Sequence, residues 1–484
     1  VSEIQAATGK AAALTPDICV IGAGAAGLAI ATAAAAFGVS VVLIERGAMG
    51  GARLDLRKAA LLAAASRAQA MREAGQFGLS AGEPQVNYAQ LHDHVQRASA
   101  ALAANDSAER MGALGVIVIK GEGRFISRST VKVGEQAIKA RRFVIATGSR
   151  PALPSIAGLD AFPVLTPETL LDLTRRPDRL LVLGGDRSGA EFAQAMARLG
   201  SMVTLVEPGS LLADEDHEAA GLVRRALLRD GVALHETATV TRSEAARGGV
   251  KLVLADPGTG ETVLEGTHLL VAAGRMPDIG GLDLDMAGVT SNSRGVIVNR
   301  SLRTQNRRVF AIGDCADAGA GTRIGQSASH QAGLVLRTML FRLPARLDTH
   351  TVPRLTCCDP ELASVGLTET QARADGGALT ILRWPYAEIE RAQAERETGG
   401  FVKLVSDRKG KILGATIIGA RAGDLIAPWC LAVQKNFTVK DMAALVVPSP
   451  SFSEVSTRAA MSLYAPLAAK PGIRRLIGFL RRFG

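Results

Sequence analysis

DICVIGAGAAG, residues 17–27, decides the fold. A short β-branched, apolar run breaks into glycines, and LAIATAAAAFG after it has a helical composition and stops at Gly38. VSVVLIE is then a second apolar run, ending in Glu45. Strand, tight turn, helix and strand make a βαβ unit, with Gly22, Gly24 and Gly27 in the GxGxxG spacing between its first strand and its helix. Each glycine has a reason: the turn is tight, the backbone approaches a pyrophosphate, and the helix packs against the strand. Glu45, closing the second strand, can accept hydrogen bonds from an adenosine ribose. The stretch from Ile18 to Ile44 carries no charge, so hydropathy alone would suggest a membrane span. Its internal glycines argue for a nucleotide-binding unit instead.

The pattern recurs in RLLVLGGDRSGAEFAQAMARLGSMVTLVE, residues 179–207, which ends in Glu207. Gly184 and Gly189 hold the outer positions, with Gly185 following the first, and Asp186 replaces the middle glycine. Two such units in one chain point to electron transfer between two bound nucleotides. A carboxylate at the middle position adds bulk and a like charge. At about 5 Å and an effective dielectric of 20 it repels one phosphate charge by roughly 3 kcal/mol, so the expectation is weak binding of NAD(H). Glu207 favours an unphosphorylated ribose. Further landmarks join the halves. RRFVIATGSRPALP (141–154) is a strand entering a Thr147-Gly148 turn, a crossover from the first domain to the second, and HLLVAAGRMP (268–277), with Gly274, is the return. RRVFAIGDCAD (307–317) is a strand ending in Gly313-Asp314, whose carboxylate can hold a sugar or ribitol hydroxyl.

With these motifs in order, the chain resembles the FAD-dependent pyridine nucleotide-disulfide oxidoreductases, especially the branch of dihydrolipoamide dehydrogenase and mercuric reductase-like proteins. The resemblance runs from about Asp17 to Phe483 and rests on GAGAAG, IATGSRP, GAEFA, AAGRMP, VFAIGD, DPELASVGLTETQA and DRKGKILGATIIG. It implies an α/β fold with two Rossmann-like dinucleotide-binding domains and a C-terminal α+β dimerisation domain. The segments are then a leader (1–16), an FAD domain in two pieces (17–150 and 269–345), an NAD(P)-binding-like insert (151–268), an interface domain making a homodimer (346–470) and a basic amphipathic tail (471–484). On this reading FAD is held by Gly22, Gly24, Gly27, Glu45, Gly50, Gly51, Gly123, Thr147, Gly148 and Asp314. NAD is held by Gly184, Gly185, Gly189, Glu207 and Gly274.

The sequence departs from the family where the family does its sulfur chemistry. At MGGARLDLRKAALL (49–62) the family has a Gly-Gly followed by two cysteines four residues apart; here Gly50-Gly51 and Ala60-Leu61-Leu62 match, both cysteines are absent and the loop is about three residues shorter. The family's helix lysine, which pairs with the glutamate of GAEFA beside the flavin, maps to Lys58, one position early, and the glutamate to Glu191. In SPSFSE, Ser449 stands in place of the interface histidine, while Pro450, Ser451 and Glu454 match. A hydroxyl cannot replace imidazole as a base near neutral pH. Lys58, Glu191 and Glu454 are therefore the catalytic candidates. The expected activity is NAD(P)H:acceptor electron transfer through flavin without a dithiol relay, to a quinone, oxygen or another nucleotide. The alternatives are a catalytically silent FAD-bound scaffold, and a disulfide or mercuric reductase using displaced cysteines.

Composition sets the remaining bounds. The 484 residues allow several cores, and five cysteines (Cys19, Cys315, Cys357, Cys358, Cys430) are too few for a disulfide scaffold, which suggests a reducing, cytoplasmic setting. Aromatics at 4% and a net charge of +10, with Arg474, Arg475, Arg481 and Arg482 near the end, do not call for a nucleic-acid partner. Cys357-Cys358 reads as part of the first interface strand, and no metal site is expected there or at His92 and His94, whose i, i+2 spacing does not share a helix face. His330 is read as a packing or capping residue. In the tail, Ile473, Leu476, Ile477 and Leu480 follow i, i+3, i+4, i+7. Docking on its own or a partner subunit is the first expectation, and peripheral contact with the inner face of a membrane the second.

Overall fold

The computed structural model describes residues 12–256, 260–319, 328–468 and 470–483. Most of the expected leader, residues 1–11, lies outside the described residues. The chain divides into two compact units, one of Val1–Ala60, His92–Ala152 and Gly274–Asp348, the other of Leu61–Leu91, Leu153–Ala273 and Thr349–Gly484.

The first unit is built on a five-stranded parallel sheet, in spatial order Val309–Ala311, Arg142–Ile145, Ile18–Ile21, Val41–Glu45 and Val116–Lys120. Every residue of Ile18–Ile21 is buried, which is why the strand reads as a continuous apolar run and not an alternating one. Each fully buried Ile, Leu or Val contributes roughly 1.5–3 kcal/mol. The helix Ala25–Ala36 returns the chain between the first two strands, and its alanines let it lie close to the sheet. The supposed membrane span is thus strand, helix and strand, and among the described residues no helix is long and apolar enough to cross a membrane. A small antiparallel sheet (Gly123–Ser127, Thr130–Val133, Gln136–Ile138) flanks the main one in the chain. The two expected crossovers pair with each other: Ser149–Pro151 runs antiparallel to Arg275–Pro277, and Ala152 N–H donates to the Gly274 carbonyl at 3.0 Å.

The second unit repeats the parallel motif with Ala233–Glu236, Met202–Glu207, Arg179–Leu183 and His268–Val271 in that order, helix Arg187–Arg198 following the glycine turn. Leu181, Leu183, Val206, Leu252, Leu269 and Val271 form its core. The same unit holds a five-stranded antiparallel sheet, in order Arg354–Thr356, Glu361–Gly366, Ile412–Gly419, Phe401–Asp407 and Leu379–Pro385, with Trp429, Tyr386 and Phe452 packed in its core. Trp429 Nε1 finds Ser456 Oγ at 3.1 Å, so burying the indole leaves no donor unmet. Buried Lys403, on this sheet, donates to both Asp216 oxygens (3.0 and 2.9 Å) and to Glu218 Oε1 (2.8 Å), tying the N-terminus of helix His217–Arg229 to the sheet. The tail forms a helix, Pro471–Leu480, with Leu476, Ile477, Phe479 and Leu480 all about half exposed. Among the described residues nothing covers these four side chains.

Candidate cofactor site

Gly22 has φ +103°, and a Cβ there would lie 2.4 Å from the Ala146 carbonyl oxygen; at Gly27 a Cβ would lie 1.8 Å from the Gly22 carbonyl oxygen. Both positions admit only glycine. Gly24 meets nothing within 4 Å and starts the helix with no side-chain cap, so the positive helix end opens onto free space. That cradle fits a dinucleotide pyrophosphate. Glu45 closes the turn, its Oε2 accepting from Ala23 N–H (2.6 Å) and its Oε1 from Gly47 N–H (2.7 Å), with lone pairs still to offer a ribose. Gly50 N–H donates to the Ala23 carbonyl at 2.8 Å, which brings the Gly50-Gly51 loop onto the same turn. Gly123 packs on Ile44, and Thr147-Gly148 follows the Arg142–Ile145 strand beside the Gly22 turn, with Gly148 at φ +70°. Asp314 Oδ2 accepts from Ser149 Oγ (2.6 Å), and Ser149 in turn takes a hydrogen bond from Arg275 Nε (2.7 Å).

The loop that lacks the cysteines is short because the helix Leu54–Glu73 begins early. Asp55, Arg57 and Lys58 are therefore all helical, and Lys58 stands on a helix as its family match implies. Arg53, at φ +44°, is largely buried and anchored by Nη1 to the Ser99 carbonyl (2.7 Å) and by Nη2 to Asp106 (2.7 Å). Lys58 is buried, 3.8 Å from Asp55 Oδ1.

The second turn copies the first. Gly184 has φ +111° with a Cβ position 2.5 Å from the Ala272 carbonyl oxygen, Gly189 repeats the 1.8 Å approach to the Gly184 carbonyl oxygen, and Glu207 accepts from Gly185 N–H (2.5 Å) and Gly209 N–H (2.7 Å). Gly274, at φ +96°, opens the return crossover. Asp186 is exposed and does not block the turn: it caps the helix, its Oδ1 accepting from Gly189 N–H at 3.2 Å. Solvent reaches Asp186, yet crowding protein atoms desolvate its carboxyl and push it above the ordinary range, partly offset by the Gly189 and Ser188 amides.

Helix Arg187–Arg198 also carries a buried polar stripe that the sequence reading missed apart from Glu191. Glu191 Oε1 accepts from Cys357 N–H (2.7 Å), Gln194 Oε1 accepts from Asp359 N–H (2.7 Å), Gln194 Nε2 donates to the Asp359 carbonyl (2.8 Å), and Arg198 binds Asp230 (2.7 Å) and Asp359 (2.8 Å). The i, i+3, i+7 spacing of Glu191, Gln194 and Arg198 in an otherwise apolar helix was the available signal. Cys357 and Cys358 stand just past the strand Arg354–Thr356, in the turn this stripe grips, and not within the strand as expected. All five cysteines are free, and burial with the nearby Glu191 charge pushes the Cys358 thiol well up. Among the described residues no cluster of three or more His, Cys, Asp or Glu could hold a metal. His92 lies in helix Tyr88–Ala101 near Gln96, and His330 is exposed in helix Ala328–Leu340. Ser449 is exposed, and Glu454 Oε1 accepts from Ser451 N–H (3.0 Å) at the start of helix Glu454–Met461. Leu445, Val446, Met461 and Tyr464, near this segment in the sequence, are exposed.

Comparison with known proteins matches residues 16–333 to the pyridine nucleotide-disulphide oxidoreductases and residues 352–460 to the dimerisation domain of that family. The chain is 33% identical over 452 residues to a mercuric reductase of Lysinibacillus sphaericus, covering 92% of this chain and 82% of that protein. It is 31% identical over 459 residues to a dihydrolipoyl dehydrogenase of Geobacillus stearothermophilus, covering 93% and 96%. The crystal structure of LpdA from Mycobacterium tuberculosis matches with a TM-score of 0.84 at 27% identity, over 93% of this chain and 99% of that one. Because the match takes in both glycine turns and continues through the C-terminal sheet, the chain belongs to the FAD-dependent pyridine nucleotide-disulphide oxidoreductase family.

Proposed function

We propose that this chain is a flavin-dependent NAD(P)H oxidoreductase whose electrons pass to a non-disulfide acceptor, a quinone, oxygen or another nucleotide, without a dithiol relay. The observation that carries this reading is the 49–62 segment, where no cysteine stands and Arg53 is fixed to Asp106 and the Ser99 carbonyl. When bound, FAD supplies acceptance of hydride from a nicotinamide and onward release of electrons. Gly22, Gly24 and Gly27 would admit its pyrophosphate, Glu45 its ribose, and Asp314 its ribitol. Lys58 and Glu191, each buried within its own unit, are the residues that match the family's lysine and glutamate. Exposed Ser449 offers no base to a thiol, in keeping with a reaction that has none. Asp186 would make NAD(H) binding weak, because its carboxylate occupies the helix end where a pyrophosphate would seek N–H donors. A homodimer formed through residues 346–470 and a reducing, cytoplasmic compartment for the five free thiols complete the reading.

The test is an anaerobic NADH titration of purified, FAD-loaded protein followed in the flavin band, then NADH-dependent turnover with a soluble quinone, oxygen, lipoamide, glutathione disulfide and mercuric ion. Bleaching by NADH with turnover of quinone or oxygen alone is expected. No bleaching at any NADH concentration would replace this reading with the silent scaffold. A second reading has one observation behind it: the Cys357 amide donates to Glu191, so two thiols lie next to a residue the family sets beside the flavin. Mercuric or lipoamide turnover abolished by Cys357→Ser or Cys358→Ser would establish that displaced relay.

A further inference from the structure

We propose that the tail helix Pro471–Leu480 is a docking element for an anionic phospholipid surface, holding the protein in the plane of a bilayer without crossing it. The helix puts Ile473, Leu476, Ile477, Phe479 and Leu480 within one arc, as a turn of 100° per residue requires. Arg474, Arg475, Arg481 and Arg482, spaced i, i+1, i+7 and i+8, fall on the opposite arc, with Gly478 among them. The winding continues past Leu480, since Arg481 N–H donates to the Ile477 carbonyl (3.0 Å), Arg482 N–H to Phe479 (3.0 Å) and Phe483 N–H to Leu480 (3.0 Å). Phe483 is 74% exposed and stacks edge-on against Phe479, with ring centroids 5.0 Å apart. Five large apolar side chains thus stand in water together, which a solitary surface residue does not explain.

Charge selects the occupant. From residue 455 to the end there is no acid and there are six cations, Arg458, Lys470, Arg474, Arg475, Arg481 and Arg482, so this stretch holds six of the ten excess positive charges. An anionic headgroup layer complements the arginine face while the apolar arc enters the acyl boundary. A second copy of this chain would bring the same arginines against their own kind. Ten helical residues span about 15 Å, half of a hydrocarbon core, so the element lies in the interface. This inference does not depend on the acceptor proposed above, because lipid binding is read without turnover.

The experiment is flotation of the full-length FAD-loaded protein with phosphatidylcholine vesicles, with and without phosphatidylglycerol. Flotation is expected only with phosphatidylglycerol, and salt should weaken it. Each of Arg474→Gln, Arg475→Gln, Arg481→Gln and Arg482→Gln should lower partitioning about fivefold, the equivalent of about 1 kcal/mol per basic residue at an anionic surface. Leu476→Glu with Ile477→Glu, which keeps every arginine, should abolish flotation while leaving flavin content unchanged. Flotation that persists after removal of residues 471–484, or its absence at every phosphatidylglycerol content, overturns the proposal. So does a particle mass in light scattering that halves when the tail is removed, since the tail would then be joining two copies.

Discussion

The turn at Gly22 and the turn at Gly184 share a backbone and part company at one side chain. The helix-starting residue has φ −73° and ψ −176° at Gly24, and φ −71° and ψ −176° at Asp186. The outer glycines make the same carbonyl contacts, and the closing glutamates accept from the same two backbone positions. The geometry of such a turn is therefore set by its outer glycines and the glutamate across from it. Its middle position is free to vary and decides what the helix end presents, open N–H groups at Gly24 and a carboxylate already seated on Gly189 at Asp186. A second contrast lies along the helices. The first presents half-buried Ala29 and Thr32 and exposed Ala36 where the second presents Glu191, Gln194 and Arg198, so the first has small side chains at the positions where the second is held by buried polar contacts.

The largest effect should come from adding one carbon at the inner contact. Gly27→Ala sets a methyl against backbone at 1.8 Å and should cost more than about 4 kcal/mol, with loss of FAD from purified protein. Gly189→Ala makes the same contact in the other turn and should spare FAD content while abolishing flavin reduction by NADH. If Gly189→Ala also empties the flavin, the turns are not separate sites and the comparison breaks. Next in size is Arg198→Met, which takes the buried guanidinium from Asp230, leaving it Gln194 Nε2 (2.9 Å) and the more distant Arg229 (3.5 Å), and should lower unfolding free energy by about 3 kcal/mol in urea melts. Thr32→Val at the matching place in the first helix should change it by less than about 1 kcal/mol. Equal losses at the two positions would refute this contrast between the helices.

The smallest effect tests the middle position itself. Asn caps a helix as well as Asp does, so Asp186→Asn removes charge and keeps the cap. It should tighten NADH binding by about tenfold, or 1.4 kcal/mol, in rapid-mixing titrations. The carboxyl of Asp186 is pushed up by desolvation, so lowering the pH through its raised pKa neutralises it and should strengthen NADH binding in the wild type. The asparagine variant should lose that slope. An unchanged slope would assign it to another group.

Both turns were legible in the sequence residue by residue, because glycines forced by backbone contact cannot be exchanged and so write the fold in plain letters. Asp186 was legible as an intruder but not as a cap, since the two differ by a side-chain rotation that no spacing records. Glu191 was found and Gln194 and Arg198 were not, because their partners Asp359 and Asp230 are remote in the sequence, and a buried polar stripe looks like an exposed one until something covers it. The early start of the helix at Leu54 was hidden for a local reason: Arg53 takes a positive φ that the residue type does not advertise. The tail's amphipathic spacing was plain, whereas its exposure could come only from the structure.

The antiparallel pairing of Ser149–Pro151 with Arg275–Pro277 bears on how such a gene is assembled. The polypeptide leaves the first unit after Ala152 and re-enters it at Gly274, and these two residues are one hydrogen bond apart. Residues 153–273 therefore form a cassette whose two ends share a doorway, the arrangement of an insertion made at a single point of the chain. The cassette is not a loose passenger: Glu191, Gln194, Arg198 and Asp216 fasten it to Cys357, Asp359 and Lys403, so an exchange of the block would have to carry the partners of those four side chains with it.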